Sequence, residues 1–257
     1  LKNFYETLKS SEQYLKFVFL TGVSKFSRVS VFSGLNNLTD ITLSEKFSTI
    51  TGYTEEQLHH YFKDRIKLFA QKLNKTEKET KAIIKNWYNG YSWNGKDFVY
   101  NPYSILLLFE EQTIKNYWFQ SGTPTFLLKV IRNHQSNVIG FENKPVQSKI
   151  FESYDIENMN IESLLFQTGY LTVKEIIEPE SPFRRYILNY PNMEVKESFL
   201  NHLLMNFSYN QNNDEIMIFN LVDNLEKNNL EEFFEIIKDV FSHIPAVIFM
   251  SDKEAYY

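Results

Sequence analysis

The chain contains no cysteine, which excludes disulfides and thiolate metal sites. It has no run near the ~20 apolar residues needed to span a bilayer. No signal peptide is visible at the start, so a soluble cytoplasmic protein with no membrane partner is the expectation. An excess of basic charge is also missing. With 27 basic and 32 acidic residues the net charge is −5, so there is no bulk footprint for nucleic acid. Internal repeats and low-complexity segments are absent. The five histidines (His59, His60, His134, His202, His243) show no metal-ligand spacing, and no metal site is expected.

What is present is length and aromatic mass. The 257 residues suit one large or two smaller domains with a sizeable core. The 23 Phe and 16 Tyr should fill that core, with Tyr near its edges. The most informative stretch runs from Lys16 to Arg28. Its apolar run, Phe17 to Leu20, stops at Thr21-Gly22 and reads as a strand buried on both faces. The polar loop beyond it holds Ser24, Lys25, Ser27 and Arg28. Ligands of open α/β sheets sit just past the carboxyl ends of such strands.

Most of the remaining chain reads as helix. Thr54-Glu-Glu-Gln57 and Thr76-Glu-Lys-Glu79 have capping-box spacing. The first should open one helix through Leu58, Tyr61 and Phe62 towards Leu73, the second a helix through Ile84 and Trp87. Asn101-Pro102 and Thr123-Pro124 each place a cap and a first-turn proline. Asp40 to Leu43 reads as a strand, and Val29 to Phe32 as a brief strand or a turn of helix. A helix over 161–166, strands over 170–173 and 184–188 and a helix over 195–207 suit a winged-helix arrangement. Two further helices are expected over 214–226 and 230–241, after a linker-like Asn210-Gln-Asn-Asn213. Ser251-Asp-Lys-Glu254 would cap a helix with only Ala255-Tyr256-Tyr257 to follow. That ending, and a start at Leu1, suggest a chain cut at both ends.

Two motifs look chemical and are read otherwise. Gly90 to Lys96 matches G-x-x-x-x-G-K, but Asp97 stands where a phosphate loop needs Ser or Thr for magnesium. A turn or hairpin with two glycines at positive φ is expected. Glu194-Val-Lys196 matches half of a nuclease site, yet it lies in the first turn of a helix, where Glu favours the dipole. No strand-borne Asp accompanies it, so no catalytic residue is assigned.

A series of blocks then resembles one family. They are Phe19-Leu-Thr-Gly-Val-Ser-Lys-Phe-Ser27, Phe32-Ser-Gly-Leu-Asn-Asn-Leu38, Asp40-Ile-Thr-Leu43, Gly52-Tyr-Thr-Glu-Glu56, Trp87-Tyr-Asn-Gly-Tyr91, Tyr100-Asn-Pro102, Asn116-Tyr-Trp118 and Ser121-Gly-Thr-Pro-Thr-Phe126. Together they are similar to the bacterial AAA-ATPase-like proteins, in which a P-loop ATPase module usually precedes a PD-(D/E)XK nuclease-like domain. The resemblance implies an α/β remnant, the last strands of a P-loop ATPase core, followed by a mostly α region with a winged-helix-like segment. Residues 1–50 would be the end of the ATPase core. Residues 51–209 would be the helical and winged-helix-like region, and 210–257 a helical lead-in to the nuclease-like domain.

The same resemblance implies that Walker A and Walker B precede Leu1 and that the nuclease motifs follow Tyr257. ATP and Mg are expected for the intact parent, with none bound tightly by this chain, which alone is expected to be inactive. Nucleotide sensing would fall to Thr21, then Ser24, with Lys25 or Arg28 neutralising phosphate charge. The plain alternative is a strand-end loop with solvated cations. Arg184 and Arg185, near the wing, are the candidates for nucleic-acid contact by the parent, although Glu178, Glu180 and Glu194 dilute their field. Expected partners are a second copy or a complementing ATPase half, recruited by the unpaired edge of the Phe17–Leu20 strand. The rival reading is a non-enzymatic protein-interaction module.

Overall fold

The computed structural model describes residues 7–22, 38–118, 141–151, 160–207 and 214–242. Ser24, Lys25, Arg28, the segment 29–37, the Thr123-Pro124 and Ser251–Glu254 caps and the linker at 210–213 lie outside those residues. The chain divides into two compact units, Leu1–Ser198 and Phe199–Tyr257.

In the first unit, caps written in the sequence start the helices. Helix α1 spans Glu55–Tyr61, and the Thr54 side chain accepts from Gln57 N while Gln57 reaches back to Thr54 N. Helix α2 spans Lys63–Leu73 and ends on Asn74 in the left-handed region. Helix α3, Glu77–Tyr88, begins in the reciprocal Thr76/Glu79 box. Satisfying two orphan amides at once is what gives this spacing its starting power.

The single helix expected from Leu58 to Leu73 is two. Phe62 leaves helical geometry at φ −112° and ψ 19°. There its ring stacks on Phe109 at 5.0 Å and meets Tyr53 edge-on at 5.3 Å. Long-range aromatic contacts therefore outweigh one turn of helical propagation.

A hairpin of β1 (Asn89–Tyr91) and β2 (Val99–Tyr100) follows α3. Helix α4, Pro102–Glu111, then starts on Asn101, whose side-chain Oδ1 accepts from Tyr103 N and Ser104 N. Leu58, Ile66, Phe69, Ile84, Tyr88, Tyr100, Ile105, Leu108, Phe109 and Tyr117 form the core between these elements. Each aliphatic or Phe side chain buried there contributes about 1.5–3 kcal/mol.

Strand β3 is Lys144–Gln147, helix α5 Ile161–Gln167, β4 Thr172–Ile177 and β5 Arg185–Asn189. The sheet order is β3-β5-β4, antiparallel throughout. Pro145 sits on the edge strand β3, where a missing N–H is tolerated. Tyr170 and Leu171, expected in β4, instead donate their amides to Leu165 O after Gly169 turns the chain at φ +83°. Closing the helix end thus delays the strand by two residues. Helix α6 spans Met193–Phe207, and the Asn192 side chain accepts from Val195 N at its start.

Two sequence expectations fail near the start. Phe17 to Leu20 forms neither helix nor strand, and Phe17 is 80 % and Phe19 51 % exposed. Among the described residues no neighbouring strand takes up their backbone groups. Asp40 to Leu43 is a turn, because the Asp40 carboxylate accepts from both Thr42 N and Thr42 Oγ1. Such an Asx turn competes directly with a strand ladder.

The second unit contains α7, Asp214–Glu226, and α8, Leu230–Ser242, joined by a short turn with Asn228 at φ +54°. No helix of the described residues is long and apolar enough to cross a membrane.

Candidate functional site

Three of the sequence blocks meet at one carboxylate. Glu194, in the first turn of α6, is fully buried. Its oxygens accept from Ser104 Oγ at 2.8 and 3.0 Å and from Trp118 N at 2.9 Å. The Tyr117 amide adds a further contribution. Ser104 is placed by the Asn101-Pro102 cap, and Trp118 by the Asn116-Tyr-Trp block, whose ring packs edge-on against Tyr170 at 4.9 Å. Tyr91, from the third block, carries a buried hydroxyl beside the Asn101 side chain. Its pKa rises through burial first and the nearby Glu194 charge second.

Burial pushes Glu194 up to about 7, and the three donors only partly oppose it. The carboxyl therefore ties α4, the 117–118 segment and α6 together while titrating near neutrality. Sequence reading set Glu194 aside as an ordinary first-turn acid. The missed signal was Ser104, a hydroxyl on the apolar face of α4. Lys196 goes elsewhere, to Glu142 at 2.6 Å. The Glu-x-Lys pair thus does not converge, as expected for a helix turn. Among the described residues no His, Cys, Asp and Glu group could hold a metal ion. His59 and His60 diverge as adjacent helical residues must, with His59 half-buried and His60 edge-on to Tyr61.

The Gly90–Lys96 segment is the expected hairpin, with Gly90 at φ +133° and Gly95 at +67°. Its amides are consumed internally. Asn94 Oδ1 accepts from Lys96 N and Asp97 N, and Ser92 Oγ accepts from Gly95 N. Asp97 in turn accepts from Asn94 Nδ2 and Ser48 Oγ. The Asn94 side chain thus takes amides that a phosphate loop would offer to a phosphate. Beside the hairpin lies an open cleft of about 490 Å³ lined by Thr54, Glu55, Lys85, Asn89, Lys96 and Asp97 among others. Lys85 pairs with Glu55 at 2.5 Å and Lys96 with Glu45 at 3.2 Å. With each lysine matched by a carboxylate, the cleft has no surplus charge for a triphosphate. This cleft therefore does not fit ATP with magnesium.

Thr21 is exposed, on irregular chain beyond Leu20. Arg184 and Arg185 are exposed where the chain enters β5. Neither location brings these residues to the Glu194 node.

Comparison with known proteins gives two similarities. The chain is 38 % identical over 207 residues to a protein of Azotobacter chroococcum mcd 1 described as an uncharacterized protein in the vnfD 5' region. That match covers 80 % of this chain and 38 % of the relative, so the chain spans under two-fifths of the relative's length. No solved structure matches. Residues 1–32 match the family model described as Predicted AAA-ATPase. In that segment the chain is similar to the AAA-ATPase-like family.

Proposed function

We propose that this chain is the helical companion of a P-loop ATPase module, working within a larger AAA-ATPase-like protein that binds ATP and magnesium elsewhere. The observation that carries the reading is the coincidence of two features in one segment. Residues 1–32 match the family, and the same segment exposes Tyr14, Phe17 and Phe19 to solvent. An apolar run of β-forming residues with no partner strand among the described residues is suited to completing a sheet contributed by another module. In this reading α5, β4–β5 and α6 act as a winged-helix-like unit, with Arg184 and Arg185 available to a nucleic acid. A nuclease-like domain of the parent would act on that nucleic acid. Thr21, and with it Ser24, Lys25 and Arg28, would form one wall of the nucleotide site in the assembled parent.

In this reading the other walls of the nucleotide site belong to the parent, so the chain alone should not turn over ATP. The test is magnesium-dependent ATP hydrolysis by the purified chain, alone and with the portions of the Azotobacter relative outside the matched region. Activity only in the mixture supports the reading. Robust turnover by the chain alone would overturn it. A stable complex without turnover in the mixture would favour the second reading, a non-enzymatic interaction module, which the same exposed segment also suits.

A further inference from the structure

Charge and apolar surface are segregated in the second unit in a way the ATPase reading does not use. Residues 214–242 carry eight acidic and two basic residues, a net charge of −6, against −5 for the whole chain. Helix α8 repeats apolar residues at Leu230, Phe233, Phe234 and Ile237, the spacing of an amphipathic helix. Yet no described side chain of α7 or α8 is buried. The inner residues Ile218, Leu221, Phe233, Ile236 and Ile237 are only half-covered. On α7, Phe219 is 69 % exposed, with Val222 and Leu225 following at helical spacing. On α8, Phe234 is 55 % exposed, with Leu230 one turn before it.

Two helices joined by a three-residue turn make a hairpin, and the other described residues leave these stripes uncovered. Something must cover these stripes, and the charge selects what. A second copy would bring the same acidic rim against this one, with like charges opposed across a low-dielectric seam. An anionic lipid surface or a nucleic acid would be repelled in the same way. A helix with an apolar stripe and lysine or arginine along its flanks meets both requirements, apolar to apolar and basic to acidic.

We propose that the exposed apolar stripes of the α7–α8 hairpin, flanked by Glu231 and Glu232 and by the Asp223–Lys227 and Glu235–Lys238 ion pairs, form a docking face for a basic amphipathic helix of a partner protein. The apolar stripes supply the burial, and the acidic rim steers the encounter and fixes the sign of the partner.

The test uses the full chain and two synthetic amphipathic helices, one of leucine and lysine and one of leucine and glutamate, read by fluorescence anisotropy. The lysine helix should bind at least ~10-fold more tightly than the glutamate helix, and its binding should weaken as salt is raised. The Phe219→Ser, Phe234→Ser double variant should bind it at least ~10-fold more weakly. Both phenylalanines are exposed, so circular dichroism and melting should stay unchanged. A Glu231→Lys, Glu232→Lys variant, which leaves the apolar stripes intact and takes the hairpin from −6 to −2, should narrow the preference for the lysine helix. Equal binding of the two helices would overturn the proposal, as would lysine-helix binding that survives both phenylalanine substitutions. So would a dimer in sedimentation that those substitutions dissolve, because the occupant would then be a second copy.

Discussion

Replacing Glu194 by Gln should change how stability depends on pH, with a sign and a window fixed by its burial. The carboxyl has its ordinary value of 4.5 in the unfolded chain and rises to about 7 in the folded one, because burial outweighs the donors from Trp118, Ser104 and Tyr117. Between those values the native state holds a proton that the unfolded chain has released. Stability from this group is therefore fully present below pH 4.5 and is lost as the pH rises through about 7. At ~1.4 kcal/mol per pH unit the loss is about 3 kcal/mol. Glu194→Gln keeps the volume, resembles the protonated acid and cannot ionise. All other titrating groups are common to both proteins, so the difference between them isolates this one. Relative to wild type, the variant should gain about 3 kcal/mol between pH 4.5 and 8. For a chain of this size that is a relative Tm shift of about 6–12 °C. Thermal and urea melts of both proteins across that range measure it. A flat difference would show that Glu194 does not titrate there. A difference of opposite slope would show that its hydrogen bonds outweigh desolvation, and either result refutes the reasoning. Glu194→Ala should be destabilising at every pH, by about 1–3 kcal/mol for each donor left buried and unpaired.

Gly90→Ala should abolish folding of the hairpin region, because the added Cβ would lie 1.8 Å from the Pro191 carbonyl oxygen at a backbone φ of +133°. Loss of soluble expression or of near-ultraviolet dichroism reports it, and a normally folded Ala variant would refute the packing described. Asn94→Ala removes the acceptor for two loop amides and should cost about 1–3 kcal/mol in urea titrations without creating phosphate affinity. Thr76→Ala breaks the cap of α3 and should cost about 1 kcal/mol, measured as a lower denaturation midpoint. Phe17→Asp with Phe19→Asp should leave the melting temperature unchanged while reducing self-association in light scattering, since both rings are exposed.

The helices were legible because their signals are local. The boxes at Thr54 and Thr76 and the Asn101-Pro102 cap each act within one turn, and each forms as written. The G-x-x-x-x-G-K hairpin was legible too, since Asp97 and the lack of a following helix exclude a phosphate loop without any tertiary information. Phe62 was not legible, because a residue at helical spacing was drawn out by Tyr53 and Phe109, one of them 47 positions away. Phe17 to Leu20 misled for a related reason. A strand exists only when another strand accepts its backbone groups, and the described residues offer none.

The sequence by itself determined the family blocks, the capped helices and the absence of thiolate chemistry, all of which follow from residues near one another in the chain. Only the tertiary structure decided how some of the blocks meet. It brings Tyr91, Ser104, Trp118 and Glu194, spread over 104 positions, to a single buried carboxylate. The reason is physical. A hydroxyl on an apolar helix face and a glutamate in a first turn are unremarkable apart, and acquire meaning when the core that excludes water also brings them within 3.0 Å.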